Sequence, residues 1–259
     1  MAITPDFRTY TGASRAAETG AVLDAGLRSY MLRVYNWMAS GLALTGIVAY
    51  GIANVPSLFN LFYPEVMTPR GLVHQPGPLA WISMFAPLAF TLVLSFGINK
   101  LSLRSAQALY WAFCVAMGAS LTSIFLIYTG ESIGRVFFIS AGTFAAMSIY
   151  GYTTRADLTR MGSFLIMGLF GIIIAGLVNM FVGSAMVQFA ISVIGVLVFV
   201  GLTAYDTQRI KSSYVQAVYA YGPEMAGKRS VMDSLTLFLN FINLFMMMLQ
   251  LFGNRNSNN

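Results

Sequence analysis

Residues 161–211 read MGSFLIMGLFGIIIAGLVNMFVGSAMVQFAISVIGVLVFVGLTAYDTQRIK. From Met161 to Tyr205, 45 residues pass without an Asp, Glu, Lys, Arg or His. A bilayer core of about 30 Å takes roughly 20 apolar residues per helix, so this run is long enough to cross twice. Val182, Gly183 and Ser184 supply a tight turn at its middle. The run ends at Asp206, inside the cluster Tyr205, Asp206, Thr207, Gln208, Arg209, Ile210, Lys211. An ionisable group at the rim of so apolar a stretch costs a few kcal/mol unless it is paired or hydrated, which makes Asp206 the first candidate functional residue.

The rest of the chain has the same character. Of 259 residues, 57% are hydrophobic and 9% charged, against roughly 25% charged in a soluble domain. Apolar runs bounded by charges and turn residues predict seven transmembrane helices at 31 to 54, 79 to 98, 106 to 128, 135 to 152, 162 to 182, 185 to 205 and 232 to 252. The expected fold is therefore an all-α integral membrane protein. Residues 1–29 form a polar N-terminal segment without the apolar core of a cleavable signal, 30–253 the seven-helix domain, and 254–259 a short polar tail. Trp37, Trp81, Trp111, Tyr128 and Tyr152 fall near proposed span ends, as interfacial aromatics do.

Charge gives the expected orientation. With the N-terminus in the cytoplasm, that side carries twelve of the 15 basic residues, and only Arg70, Arg135 and Arg255 lie opposite. An odd number of spans then puts the C-terminus outside and Asp206 at the cytoplasmic end of the sixth span. The net charge of +6 is explained by this bias, and no Lys/Arg tract with interleaved aromatics points to nucleic acid. Cys114, the single cysteine, lies in an apolar run and reads as packing; His74, the single histidine, reads as a solvated loop residue without metal partners in sequence.

The seventh span differs from the others. Asp233, Thr236, Asn240, Asn243 and Gln250 recur at spacings of 3, 4, 3 and 7, which places them along one face of a helix that cannot face lipid. Asn243 and Gln250 read equally well as interhelical hydrogen-bond glue, worth about 0.6 to 2 kcal/mol each. Asp233 and Asn240 lie nearer the membrane face of Asp206 and read as functional. The seventh helix is expected in the middle, with the other six around it.

The phrases Gly201, Leu202, Thr203, Ala204, Tyr205, Asp206, Thr207, Gln208, Arg209, Ile210, Lys211 and Leu237, Phe238, Leu239, Asn240, Phe241, Ile242, Asn243, Leu244, Phe245, with the opening Tyr30, Met31, Leu32, Arg33, Val34, Tyr35, resemble the transmembrane Bax inhibitor motif family, in its bacterial, Bax inhibitor-1-like branch. The resemblance covers nearly the whole chain from Tyr30. It implies seven helices with the seventh central and, as in studied members, a pH-sensitive calcium leak. There, a carboxylate on the sixth helix and another on the seventh share a proton, and a basic residue at the cytoplasmic end of the second latches onto the first. Asp206 matches the first carboxylate, Lys100 falls where the basic gate partner is expected, and Asn240, an amide, stands where the second carboxylate would be. Two carboxylates hold a proton near neutral pH because both cannot ionise cheaply; one carboxylate beside an amide lacks that repulsion. Asp233 is a poor substitute, since seven residues span about 10.5 Å of helix.

Enzyme readings lack parts. Gly118, Ala119, Ser120 has no membrane histidine to act as base, no lysine lies within the last helix for a retinal Schiff base, and Asn240 removes one carboxylate of an aspartyl protease pair. Two non-enzymatic readings remain. One is a gated conductance for Ca2+ or protons with Asp206 as the ion site, Ca2+ being cargo and no cofactor being required. The other is a regulatory protein that binds another membrane protein, such as a quality-control protease, through residues 1–29. Gly41, Ala141, Ala145, Gly168 and Gly171 are small enough to serve close helix packing in either.

The charge bias predicts residues 206–231 in the cytoplasm and Asn259 outside. In a Cys114→Ser background, an impermeant thiol reagent applied to intact cells should modify a cysteine placed at 257 and spare one at 220; the reverse pattern refutes this layout.

Overall fold

The structure is a computed structural model that describes the backbone of residues 7–68, 71–220 and 223–256, with side chains over 24–68, 71–214 and 224–256. In chain order its elements are α1 (Phe7–Asn54), α2 (Pro56–Phe62), β1 (Glu65–Thr68), β2 (Gly71–His74), α3 (Pro78–Gly97), α4 (Leu103–Leu121), α5 (Ile124–Ile127), α6 (Gly130–Thr153), α7 (Thr159–Val182), α8 (Ala185–Ala220) and α9 (Pro223–Phe252). Six helices are long and apolar enough to cross a membrane, or seven if α1 and α2, bent by 96° at their junction, count as one span. The chain is a multi-pass, helical integral membrane protein.

Local chemistry explains the breaks. Pro56 lacks an N–H and disfavours helical dihedrals at the preceding residue, so Val55 is extended (φ −100, ψ 107) and the chain turns there. Between α4 and α5, Thr122 and Ser123 donate their hydroxyls to the carbonyls of Gly118 and Ser120, a back-bonding that disturbs the helical ladder. Gly183, at the α7–α8 turn expected from the sequence, is left-handed (φ 66), and its N–H closes onto the Asn179 carbonyl at 2.7 Å.

Several expectations need correction. The α1 helix is continuous through position 30, so no helix break marks the proposed segment boundary at 29. The α8 helix runs to Ala220, which puts Asp206 inside a helix rather than at its end, and α9 begins nine residues before the predicted 232. His74 lies in a strand, not a loop: β1 and β2 pair antiparallel from Glu65↔His74 to Thr68↔Gly71, and its ring nitrogen hydrogen-bonds the Tyr63 carbonyl at 3.0 Å. The tail is anchored, since Thr129 N–H reaches the Asn254 carbonyl at 3.1 Å and Asn256 N–H that of Ile127 at 2.9 Å.

Among the candidate spans α9 is the most deeply buried. It touches α1, α3, α4, α6 and α8, whereas α7 packs mainly on α8. Over half of its span is buried (56%), against 17% for α7. Leu237, Phe238, Leu244 and Leu249 are fully enclosed, and Phe238 meets Phe113 of α4 edge to face at 5.1 Å. Between α1 and α4, Tyr110 donates to the Trp37 carbonyl at 2.8 Å, and Cys114 is buried beside it, as packing.

Close crossings depend on glycines that the sequence reading only partly identified. Gly41 lies against Tyr110 and Cys114, as expected, but nothing lies within 4 Å of a Cβ at Gly171. Two others face backbone: Gly151, whose Cβ would strike the Ala204 backbone, and Gly118, whose Cβ would sit 2.6 Å from the Thr45 carbonyl oxygen. Neither obstacle is a side chain that can swing away. Gly118→Ala and Gly151→Ala should each lower stability by about 1–3 kcal/mol, as overpacking does. Gly171→Ala should leave it unchanged or raise it by up to ~1 kcal/mol through helix propensity. Thermal unfolding of the three purified variants in detergent checks this ordering.

Candidate functional site

Between positions 205 and 211, α8 sends successive side chains to different neighbours, because a helix rotates each residue by about 100°. The Tyr205 ring packs where a Cβ on Gly162 of α7 would stand. Thr207 shares a hydrogen bond with Tyr35 of α1 at 3.2 Å. Gln208 clamps the α6–α7 connection, donating to the Ala156 carbonyl at 2.8 Å and accepting from Leu158 N–H at 2.9 Å. Lys211 donates to the Tyr152 carbonyl at the end of α6, at 2.8 Å. The segment is a junction for most of the bundle.

Asp206 is its centre. The residue is 6% exposed. Its Oδ2 accepts from Asn240 Nδ2 of α9 at 2.8 Å, and its Oδ1 pairs with Arg209 Nη2 at 2.8 Å. Each oxygen thus has a donor, the arrangement an ionised carboxylate needs because it can only accept. Arg209 stands one turn along the same helix and is about half exposed, so it bridges the buried carboxylate and the solvent side.

A second carboxylate lies nearby. Asp233 Oδ2 accepts from Tyr30 of α1 at 2.6 Å, and the next residue, Ser234, donates to the Val34 carbonyl of α1 at 3.0 Å and to the Ser230 carbonyl of its own helix. Arg209 is within electrostatic reach of both Asp206 and Asp233, and Arg229 is within reach of Asp233. The structure therefore brings Asp206 and Asn240 into direct contact and puts Asp233 in a neighbouring pocket with a donor of its own.

The polar stripe on α9 divides accordingly. Thr236 donates to the Met232 carbonyl of its own helix at 3.1 Å, and Asn243 is half-buried. Gln250, at the far end, accepts from Gln188 at 2.7 Å and Ser192 at 2.8 Å, both on α8. That is interhelical glue, one of its two readings from sequence.

Lys100 is placed elsewhere. It is exposed in the turn after α3, and among the described residues the cation paired with Asp206 is Arg209. An i, i+3 carboxylate–guanidinium pair was visible in the sequence; the Tyr30–Asp233 pair, 203 positions apart, left no local signal. No group of three His, Cys, Asp or Glu side chains among the described residues could hold a metal. Asp157, on the α6–α7 connection, is exposed, and hydrogen bonds from Thr159 hold its carboxyl below the usual range. A depressed folded-state pKa means that its contribution is present above the unfolded value of about 3.9 and is lost only as pH falls through the lower folded value. It is silent from pH 5 to 8.

Known proteins match this chain over most of its length. RP147 of Rickettsia prowazekii is 45% identical over 246 residues, covering 95% of this chain and 98% of its own. YbhL of Escherichia coli, named an inner membrane protein, is 43% identical over 231 residues, 89% of this chain and 94% of its own. A Streptococcus pyogenes membrane protein, SpyM3_0260, is 31% identical over 233 residues, 89% of this chain and 94% of its own. The family described as "Inhibitor of apoptosis-promoting Bax1" matches residues 27–257, a range that takes in Tyr30, Asp206, Asp233 and Asn240, and the chain belongs to it.

Proposed function

We propose that the protein is a pH-sensitive calcium leak of the inner membrane, with Asp206 as the ion-linked carboxylate and α9 as the central helix of the bundle. The observation that carries this reading is the burial of Asp206 between one amide and one guanidinium. Such a carboxylate joins α8 to α9 while ionised. Protonation removes the charge that holds Arg209 and turns one oxygen from acceptor to donor, which loosens the helix pair. Calcium is the cargo: a hard cation favours carboxylate and amide oxygens, which Asp206 and Asn240 present once Arg209 moves aside and the Asn240 amide turns its oxygen toward the site. The location follows the apolar helices and the name of the YbhL relative. The twelve-to-three basic bias supports a cytoplasmic N-terminus.

A second reading, a regulatory protein that binds another membrane protein, draws on the length of α1. Its 48 residues make a rod of about 72 Å, more than twice the ~30 Å hydrocarbon core, so one end projects as an arm. Removing residues 1–23 should spare a conductance and abolish a binding role; the cut stops short of buried Leu27 and of Tyr30.

Flux measured in liposomes against pH tests the leak. Asp206→Asn should change calcium flux or its pH profile tenfold or more, about 1.4 kcal/mol at the gate, whereas Asp157→Asn, with a carboxyl that does not titrate from pH 5 to 8, should change neither. Arg209→Gln should raise flux by uncovering the carboxylate. Equal and negligible effects of all three remove the support for a leak and favour the binding role.

The amide at 240 makes a separate prediction. With one carboxylate in direct contact where relatives would have two, the pH response should be shallow or displaced toward acid. Asn240→Asp, facing Asp206 at hydrogen-bond distance, should raise the apparent pKa of gating and sharpen it, and Asp206→Asn should abolish that gain. An unchanged pH profile in a folded, conducting Asn240→Asp variant sinks the proton-sharing account.

A further inference from the structure

We propose that the groove between α1 and α6 binds one acyl chain of an anionic glycerophospholipid, with the lipid phosphate at Arg28. The two helices each pack on α9 and part from one another over a cavity of about 620 Å³ floored by Phe241. Its walls run from Arg28 to Leu42 on α1 and from Phe137 to Tyr152 on α6. Fourteen residues of helical rise make the groove about 21 Å long, against ~15 Å for one hydrocarbon leaflet, which leaves room at the Arg28 end for the glycerol and phosphate.

Its cross-section selects the occupant. A volume of about 620 Å³ over that length averages roughly 30 Å², whereas a helix some 10 Å across needs about 80 Å². A hydrocarbon chain can lie within the groove along its length, whereas a helix would only cover its mouth. Leu32 and Ile149 on its rim are exposed by 55% and 65%, so the groove opens toward the surface that faces lipid.

Apart from Tyr35, whose hydroxyl is engaged with Thr207, polar groups are confined to one end. Ser148 is 6% exposed, lines the groove, and its Oγ is the only buried side-chain nitrogen or oxygen without a partner among the described residues. Its Oγ is closed off from the groove as the helices stand, so the headgroup is met by the basic side chains at this end. One turn further stands Tyr152, with Lys211 Nζ 4.9 Å above its ring, and across from it the exposed Arg28. No Asp or Glu lines the groove. Basic pockets between membrane helices suit anionic headgroups in this way. A chain moving from bilayer to groove gains little hydrophobic energy, so selectivity rests on Arg28.

Native mass spectrometry of the purified chain, titrated separately with dioleoyl phosphatidylglycerol and dioleoyl phosphatidylcholine, tests the assignment. Wild type should retain one phosphatidylglycerol per chain and prefer it about tenfold, equivalent to ~1.4 kcal/mol. Ala145→Trp, which fills the groove, should lower occupancy by both lipids about tenfold. Arg28→Gln should keep the chain bound and erase the preference; it stands alone as the test if Ala145→Trp does not fold. Unaltered occupancy in a folded Ala145→Trp, or an unaltered preference in Arg28→Gln, overturns the proposal. So does a dimer that Ala145→Trp dissolves without loss of lipid, which would assign the groove to a second copy of the chain.

Discussion

A charge inside a bilayer must be compensated by the protein, and the compensation of Asp206 sets the geometry around it. An isolated carboxylate at the centre of a membrane helix costs about 2.5–3.5 kcal/mol on insertion scales, enough to decide whether two helices meet. The guanidinium of Arg209, one turn away, answers one oxygen without needing any tertiary contact. Oδ2 is answered only if α9 comes close enough for Asn240 to reach it, as it does at 2.8 Å. The α8–α9 register is thereby specified by a polar contact in a region where apolar faces would slide past one another with little change in energy.

The same logic gives the bundle two polar tiers with different consequences. At one end of α9, Asp206, Asn240, Asp233, Tyr30 and Arg209 mix charge with neutral donors. At the other, Asn179, Gln188, Ser192 and Gln250 form a chain of neutral hydrogen bonds between α7, α8 and α9. A neutral network hardly responds to pH or salt and serves as a fixed hinge point. A tier that contains ionisable groups changes its net charge with each proton it takes up, so any movement coupled to pH belongs at the Asp206 end.

Much of the fold was legible because a bilayer imposes a crude rule, apolar length, that every span must satisfy. The uncharged run from Met161 to Tyr205 and the Gly183 turn were recovered on that rule, and the contact of Asp206 with Asn240 was anticipated from the stripe on the last helix and from family resemblance. Beyond the hydrocarbon the rule gives no signal. The extension of α8 from 206 to 220 is polar in sequence and carries Asp206, Arg209 and Lys211, which hydropathy cannot tell from a loop. The β1–β2 hairpin lies in a connection where Pro and Gly suggested only turns. Which glycines make contacts was equally hidden: Gly151 and Gly171 are identical in sequence terms, and only the crossing of α6 over α8 separates them.

The replacement of Lys100 by Arg209 as the partner of Asp206 bears on how such a site can work. A latch from another helix must be moved by rigid-body motion, whereas a partner on the same helix, with a side chain about half exposed, can leave by changing rotamers. On the proposed reading, the carboxylate exchanges its guanidinium for a metal cation without first parting two helices. Asn240 makes that exchange electrically simple. With an amide in place of a second carboxylate in direct contact, Asp206 and Arg209 form a neutral pair, and Asp233, also within reach of Arg209, keeps a donor of its own in Tyr30. On the proposed reading so sparse a set of oxygens holds a divalent ion weakly, which suits passage, because an ion held by several carboxylates would enter readily and leave slowly.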